Sequence, residues 1–348
     1  MYAGVVHAPF DIRYEQIATP QPAPGEVLVK VKYTGICGSD VPRVNGNACH
    51  FFPNVLGHEF SGTIVALGEG VTDRKIGDRI AGIPLVPCME CSDCQKGNYS
   101  LCKHYSFIGS RRFGSFAEFV TLPARNTFLL NDSISFAQGA LFEPSTVALH
   151  GLRCAGFVPG KRVAIIGAGT IGMLTMQWCK IYGARQIVML NRSTDKLQNA
   201  LRMGADAAVS TADENWLQQA MVLTCGEGYD FVFETAGSAA TCKMTFELVA
   251  NKGHICLIGT PTSEVSFSVR QWELLNRKEM HLTGSWMSYS APFPGSEWAE
   301  TAHFFASGQL KLDESMIQEI IPLSRISEAF ALYQNHGVKG KILIDSEA

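Results

Sequence analysis

VAIIGAGTIGMLTMQWC, residues Val163–Cys179, sets a short apolar run directly before GAGTIG and a helix-forming stretch directly after it. That order is strand, glycine turn, helix. Gly167 is placed to make the tight turn and Gly169 to let the backbone approach a pyrophosphate. Gly172 allows close packing of helix on strand, with Thr170 and Ile171 opening the helix between them. A lone GxGxxG is a weak pattern, but its seat between a strand and a helix makes this one a dinucleotide-binding fingerprint. The stretch is short for a membrane span and rich in glycine and threonine, so no transmembrane helix is expected.

Downstream the texture repeats. KRVAIIG, QIVMLN, YDFVFETAG and GHICLIGT read as strands, with a helix through Lys180 and another over DKLQNALRMG. Strands alternating with helices predict a doubly wound parallel sheet, here over residues 151–285. Upstream, EVLVKVKYTGI from Glu26 to Ile36 alternates apolar and polar residues, and short runs punctuated by glycine and proline continue to about residue 130, the pattern of a β-rich domain. After residue 285 the pattern changes again, and KGKILID near the C-terminus reads as a strand returning to the first domain. Residues 1–150 with 286–348 are therefore expected to form one domain and 151–285 the other, in keeping with a chain of 348 residues.

A formal net charge of -3 supplies no basic stripe, which argues against a nucleic-acid partner. MYAGVVHAPFDIRYEQ lacks the basic and apolar regions of a signal peptide, so a cytoplasmic address is expected. The odd number of cysteines, 11, fits a reducing compartment, where clustered thiols mark metal sites more often than disulfides.

Four of them stand in PCMECSDCQKGNYSLC as Cys88, Cys91, Cys94 and Cys102, spaced C-x2-C-x2-C-x7-C. Short loops between thiolates can wrap a tetrahedral structural zinc, and an iron-sulfur cluster is the competing reading. A second set is scattered: Cys37 in GICGSD, His58 and Glu59 in LGHEFSG, and Glu143 in ALFEPS. Thiolate, imidazole and carboxylate are all zinc ligands, and three of them with an open fourth position make a catalytic site. Where an acidic residue would bond the ribose hydroxyls of NAD, the chain has Asn191 followed by Arg192. The arginine could pair with the 2′-phosphate of NADP, or could face water while Asn191 bonds the ribose, so NAD and NADP both stay open.

GHEFSGTIVALGEGV, with GICGSD, the four-cysteine lobe, FEP and GAGTIG, resembles the zinc-dependent medium-chain alcohol and polyol dehydrogenases along essentially the whole chain. The resemblance implies a GroES-like β domain joined to a Rossmann domain, with the active site in the cleft between them. It implies two zinc ions per chain. One is catalytic, on Cys37, His58 and Glu143, with Glu59 close enough to enter or leave its shell, and one is structural, on the four-cysteine lobe. Glutamate at position 143 is the polyol-dehydrogenase choice. Relatives carry a histidine five residues after the first zinc cysteine as a proton exit; Pro42 stands there in this chain, so a relay through Ser39 is expected instead.

CGSDVPR, FIGSRR and GSWMSYSAPFPGSEW resemble a branch of the family that acts on polyol phosphates. Arg43, His50, Arg111 and Arg112 are therefore candidate phosphate ligands, and Trp286 and Tyr289 candidates to line the substrate site. The expected partner is a small polyol or polyol phosphate, and the expected assembly a homo-oligomer. A general sorbitol- or xylitol-type polyol dehydrogenase and an L-threonine dehydrogenase are alternatives, as is a zinc-stabilised nucleotide-binding redox sensor without catalysis.

Overall fold

The computed structural model describes residues 1–335 and 337–348. The chain divides into two compact units, Met1–Glu143 with Tyr289–Ala348, and Pro144–Ser288.

The first unit is built on the long strand Glu26–Gly35, whose alternating side chains bury Val27, Val29 and Val31. It pairs antiparallel with Glu59–Leu67 along its length, and with Phe119–Pro123 at its start. At its far end it pairs antiparallel with the last strand of the chain, Lys341–Asp345, which lies parallel to Ile317–Pro322. The expected return of the C-terminal segment is this pairing. Its register sets Gly35 opposite both Glu59 and Leu343. Two cores flank the sheet, one around Val27, Phe60, Ile80 and Leu122, the other around Val5, Ile36, Phe116 and Phe330.

The second unit holds a six-stranded parallel sheet. From edge to edge its strands are Ala207–Ser210, Gln186–Asn191, Arg162–Ile166, Tyr229–Glu234, Val249–Leu257 and His281–Gly284. In chain order this is 3-2-1-4-5-6, the doubly wound Rossmann arrangement. Its strand order reverses beside Arg162–Ile166, and GAGTIG follows that strand directly. Ala207–Ser210 and His281–Gly284 are four residues each, too short for alternation to announce them. No helix among the described residues is long and apolar enough to cross a membrane.

Candidate active site

Strand Glu26–Gly35 delivers Cys37 into a turn closed by two bonds, Asp40 N–H to Cys37 O and Cys37 N–H to Asp40 Oδ2, each 3.0 Å. Asp40 stands at the N-cap of the short helix Val41–Val44 but makes no capping bond. Its other oxygen lies 3.4 Å from His58 Nδ1, an ion pair when the imidazole is protonated. Strand Glu59–Leu67 begins one residue later. Cys37, His58 and Glu59 thereby bring one ligand atom each within 4.8 Å of one another.

Glu59 is thus gathered with the cysteine and histidine. Glu143, in the first turn of helix Phe142–Cys154, feels the charges of His58, Glu59, Lys341 and Asp40. Burial pushes its carboxyl up to about 7, Glu59 and Asp40 add to that, and His58 and Lys341 oppose it. Burial would lower the pKa of His58, but the charges of Asp40 and Cys37 outweigh it and hold it well above the usual histidine value.

Lys341 escaped the sequence reading. Its ammonium is 4% exposed, pairs with the Glu59 carboxylate and donates to Ile36 O at 2.9 Å. Burial favours the neutral amine, yet Glu59 and Cys37 outweigh it and keep the lysine charged. A Cβ at position 35 would come within 2.6 Å of both Glu59 Oε2 and Lys341 Cε, so Gly35 is the space that pair needs. Asp40, Glu59 and Glu143 bring three carboxyl groups to the Cys37 thiol, the His58 imidazole and this lysine. Sulfur, nitrogen and oxygen donors converging in a largely buried site are a donor set that fits a divalent zinc.

In the lobe, Cys91 caps the short helix Ser92–Gln95 and all four thiols converge. Sγ separations are 3.9 Å for Cys88–Cys94, 4.0 Å for Cys91–Cys102 and 3.5 Å for Cys88–Cys102. Four sulfurs around one zinc at 2.3 Å sit about 3.8 Å apart by tetrahedral geometry. The observed spacing fits a single ion and leaves no room for the several irons of a cluster.

The glycine turn has the three features its fingerprint requires. Gly167 has φ +104°, and a Cβ at Gly172 would lie 1.8 Å from Gly167 O. A Cβ at Gly169 would meet nothing within 4 Å, which leaves space for a pyrophosphate at the start of helix Thr170–Ile181. Thr235 Oγ1, another residue the sequence did not flag, braces the turn by donating to Ile166 O at 2.9 Å and Gly167 O at 3.1 Å. Asn191 Oδ1 accepts from Ala168 N–H at 3.3 Å. Its amide is thus engaged with the turn, while Arg192 is exposed.

The remaining candidates separate. Ser39 is exposed, and its hydroxyl donates to Cys37 Sγ at 3.4 Å. Arg43 Nη1 donates to Ser39 O at 2.6 Å. Arg112 is not available to a phosphate, because it is committed to Glu26 at 2.8 Å and to Thr121 O at 3.2 Å. Tyr289 does not face a substrate either: it is 1% exposed and stacks on Trp298 and Phe293. Trp286, in the second unit, is half exposed.

Residues 23–132 match the family model for the alcohol dehydrogenase GroES-like domain, and residues 170–307 the model for zinc-binding dehydrogenases. The chain is 37% identical over 319 residues to galactitol 1-phosphate 5-dehydrogenase of Escherichia coli strain K12, covering 92% of each. The chain belongs to the zinc-binding alcohol dehydrogenase family. The crystal structure of galactitol-1-phosphate dehydrogenase from Escherichia coli superposes with a TM-score of 0.95 at 35% identity, over 99% of this chain and 100% of that one. A protein from Sinorhizobium meliloti 1021, described as a zinc-binding dehydrogenase and bound to NADP, matches with a TM-score of 0.88 at 29% identity, over 99% and 98%. This member is an NAD(P)-dependent, zinc-containing medium-chain dehydrogenase acting on alcohol groups, so the non-catalytic alternative falls away.

Proposed function

We propose that this dehydrogenase oxidises a secondary hydroxyl of a polyol phosphate, galactitol 1-phosphate, to the ketose phosphate while reducing NADP or NAD. The observation that carries the chemistry is the convergence of the partly buried Cys37 with the buried His58 and Glu59, three ligands that leave a coordination position for substrate. The identity to galactitol 1-phosphate 5-dehydrogenase supports the substrate class. Cys37, His58 and Glu59 would hold a zinc ion whose Lewis acidity would lower the pKa of a bound hydroxyl toward neutrality, and a nicotinamide held at the glycine turn would supply the hydride acceptor.

The protein's own residues do the rest. Asp40 stands against His58, and Lys341 pairs with the Glu59 carboxylate. Each CH–OH converted to C=O releases one hydride and one proton. Ser39 Oγ, exposed and beside Cys37, is placed to carry that proton to water. Asn191 is an amide where a carboxylate would repel a 2′-phosphate, and Arg192 beside it supports NADP.

The test is a panel of initial rates with galactitol 1-phosphate, galactitol, sorbitol and L-threonine, each with NADP and NAD. Preferential oxidation of the phosphate ester is expected. Oxidation of free polyols or threonine alone would replace this substrate by a general polyol or amino-alcohol.

A further inference from the structure

Three basic side chains in the first unit stand together. Arg43 lies on helix Val41–Val44, His50 on the loop that follows, and Arg111 on the loop after strand Ser106–Phe107. These segments are fastened to one another. Ala48 N–H donates to Pro42 O at 3.1 Å, and the buried Asn54 side chain donates to Ser110 O at 3.1 Å. The rings of Phe51 and Phe113 stack with centroids 6.3 Å apart, and both Arg111 and Arg43 are near enough to act electrostatically on His50.

Neither arginine is neutralised. The Arg43 guanidinium spends one donor on Ser39 O, and that of Arg111 lies 4.7 Å over the Tyr105 ring. Among the described residues neither has a carboxylate partner, in contrast to Arg112 with Glu26. Partial burial lowers the pKa of His50, and the positive charges of Arg111 and Arg43 lower it further. Like charges gathered without a counter-ion oppose one another until an anion enters, and two guanidinium forks suit a phosphate.

We infer that Arg43, His50 and Arg111 form the subsite that grips the phosphate of the substrate, an inference that rests on the alcohol-oxidising role proposed for the Cys37 site. The connection between the two is direct: Arg43 bonds Ser39, and Ser39 bonds Cys37 Sγ. Arg43 at least is thus two hydrogen bonds from the Cys37 set, which suits a substrate that carries a phosphate and a hydroxyl. A cofactor phosphate has the same chemistry, but the glycine turn and Arg192 of the second unit already provide for it.

The first readout needs no turnover. Inorganic phosphate and galactitol 1-phosphate are titrated calorimetrically into the full-length zinc-loaded protein and into Arg43→Ala, Arg111→Ala and, as a control, Arg112→Ala. Loss of a charge-assisted arginine contact is expected to weaken binding of both by about 10- to 100-fold in the first two variants. Arg43→Lys and Arg111→Lys should recover part of it. Absence of saturable binding to the wild type, or equal affinity in all variants, would overturn the subsite whatever the enzyme oxidises.

The second readout is the ratio of kcat/KM for galactitol 1-phosphate to that for galactitol. It should fall by about 10- to 100-fold in Arg43→Ala and Arg111→Ala. A wild-type preference for the ester that survives both substitutions would reject the subsite and leave the proposed reaction standing. No oxidation of either compound by the wild type would reject the reaction. A rise in KM for NADP in place of the ester would reassign the cluster to the cofactor.

Discussion

Replacing Lys341 by methionine removes one positive charge from under the candidate metal centre at nearly constant volume. Lys341 is buried, pairs with Glu59 and bonds Ile36 O. In its absence the Glu59 carboxylate lies buried without its ion-pair partner. Breaking a buried pair from one side costs about 3–5 kcal/mol. For a unit of this size that corresponds to a fall in Tm on the order of 10 °C. The loss should be largest without metal, because zinc at Cys37, His58 and Glu59 supplies the missing charge. Lys341→Met therefore destabilises the zinc-free protein more than the loaded one, and by linkage the variant binds its catalytic zinc more tightly, by about tenfold for each 1.4 kcal/mol of that difference. Calorimetric melting with and without zinc, together with chelator competition, measures both. Adding Glu59→Gln removes the orphaned charge and should recover much of the lost Tm in the zinc-free protein. Equal destabilisation with and without zinc, or weaker zinc binding in Lys341→Met, would refute the reasoning.

At the glycine turn, Gly169→Ala should melt like the wild type, because its Cβ meets nothing within 4 Å, yet bind cofactor more weakly when followed by fluorescence. Gly172→Ala should lose both, since its Cβ would lie 1.8 Å from Gly167 O and the helix start must retreat; a displacement of about 1 Å can cost about 100-fold. Arg192→Ala should lower kcat/KM for NADP relative to NAD by about tenfold or more, as expected for a lost charge-assisted phosphate contact; an unchanged ratio would return Arg192 to solvent.

What was legible in the sequence was local. The glycine turn and the cysteine lobe are each set by residues close in the chain, so their spacing announced their geometry. Cys37 and His58 became legible through the motif around each. Lys341 was not, because its place beside Glu59 depends on the last strand pairing with Tyr33–Gly35, and a lysine in KGKILID carries no mark of burial. Asp40 had a signal that could have been used: an aspartate three residues after a ligand cysteine can close the turn and reach its neighbour. The arginines show the opposite limit. Arg111 and Arg112 are adjacent and alike in sequence, but one points its charge at a tyrosine ring and the other at Glu26. Tyr289 looked like a substrate contact in its motif, and only the packing of Trp298 and Phe293 shows that it belongs to the core.

Alcohol oxidation is proposed to depend on a metal held at Cys37, His58 and Glu59, separate from the ion of the cysteine lobe. The most direct test of that dependence is zinc content measured alongside turnover of galactitol 1-phosphate, in the wild type and in Cys37→Ser. The account predicts about two zinc ions per wild-type chain and about one in the variant, with the fold retained and turnover reduced by about 1,000-fold or more. Two zinc ions in Cys37→Ser with turnover undiminished would contradict it.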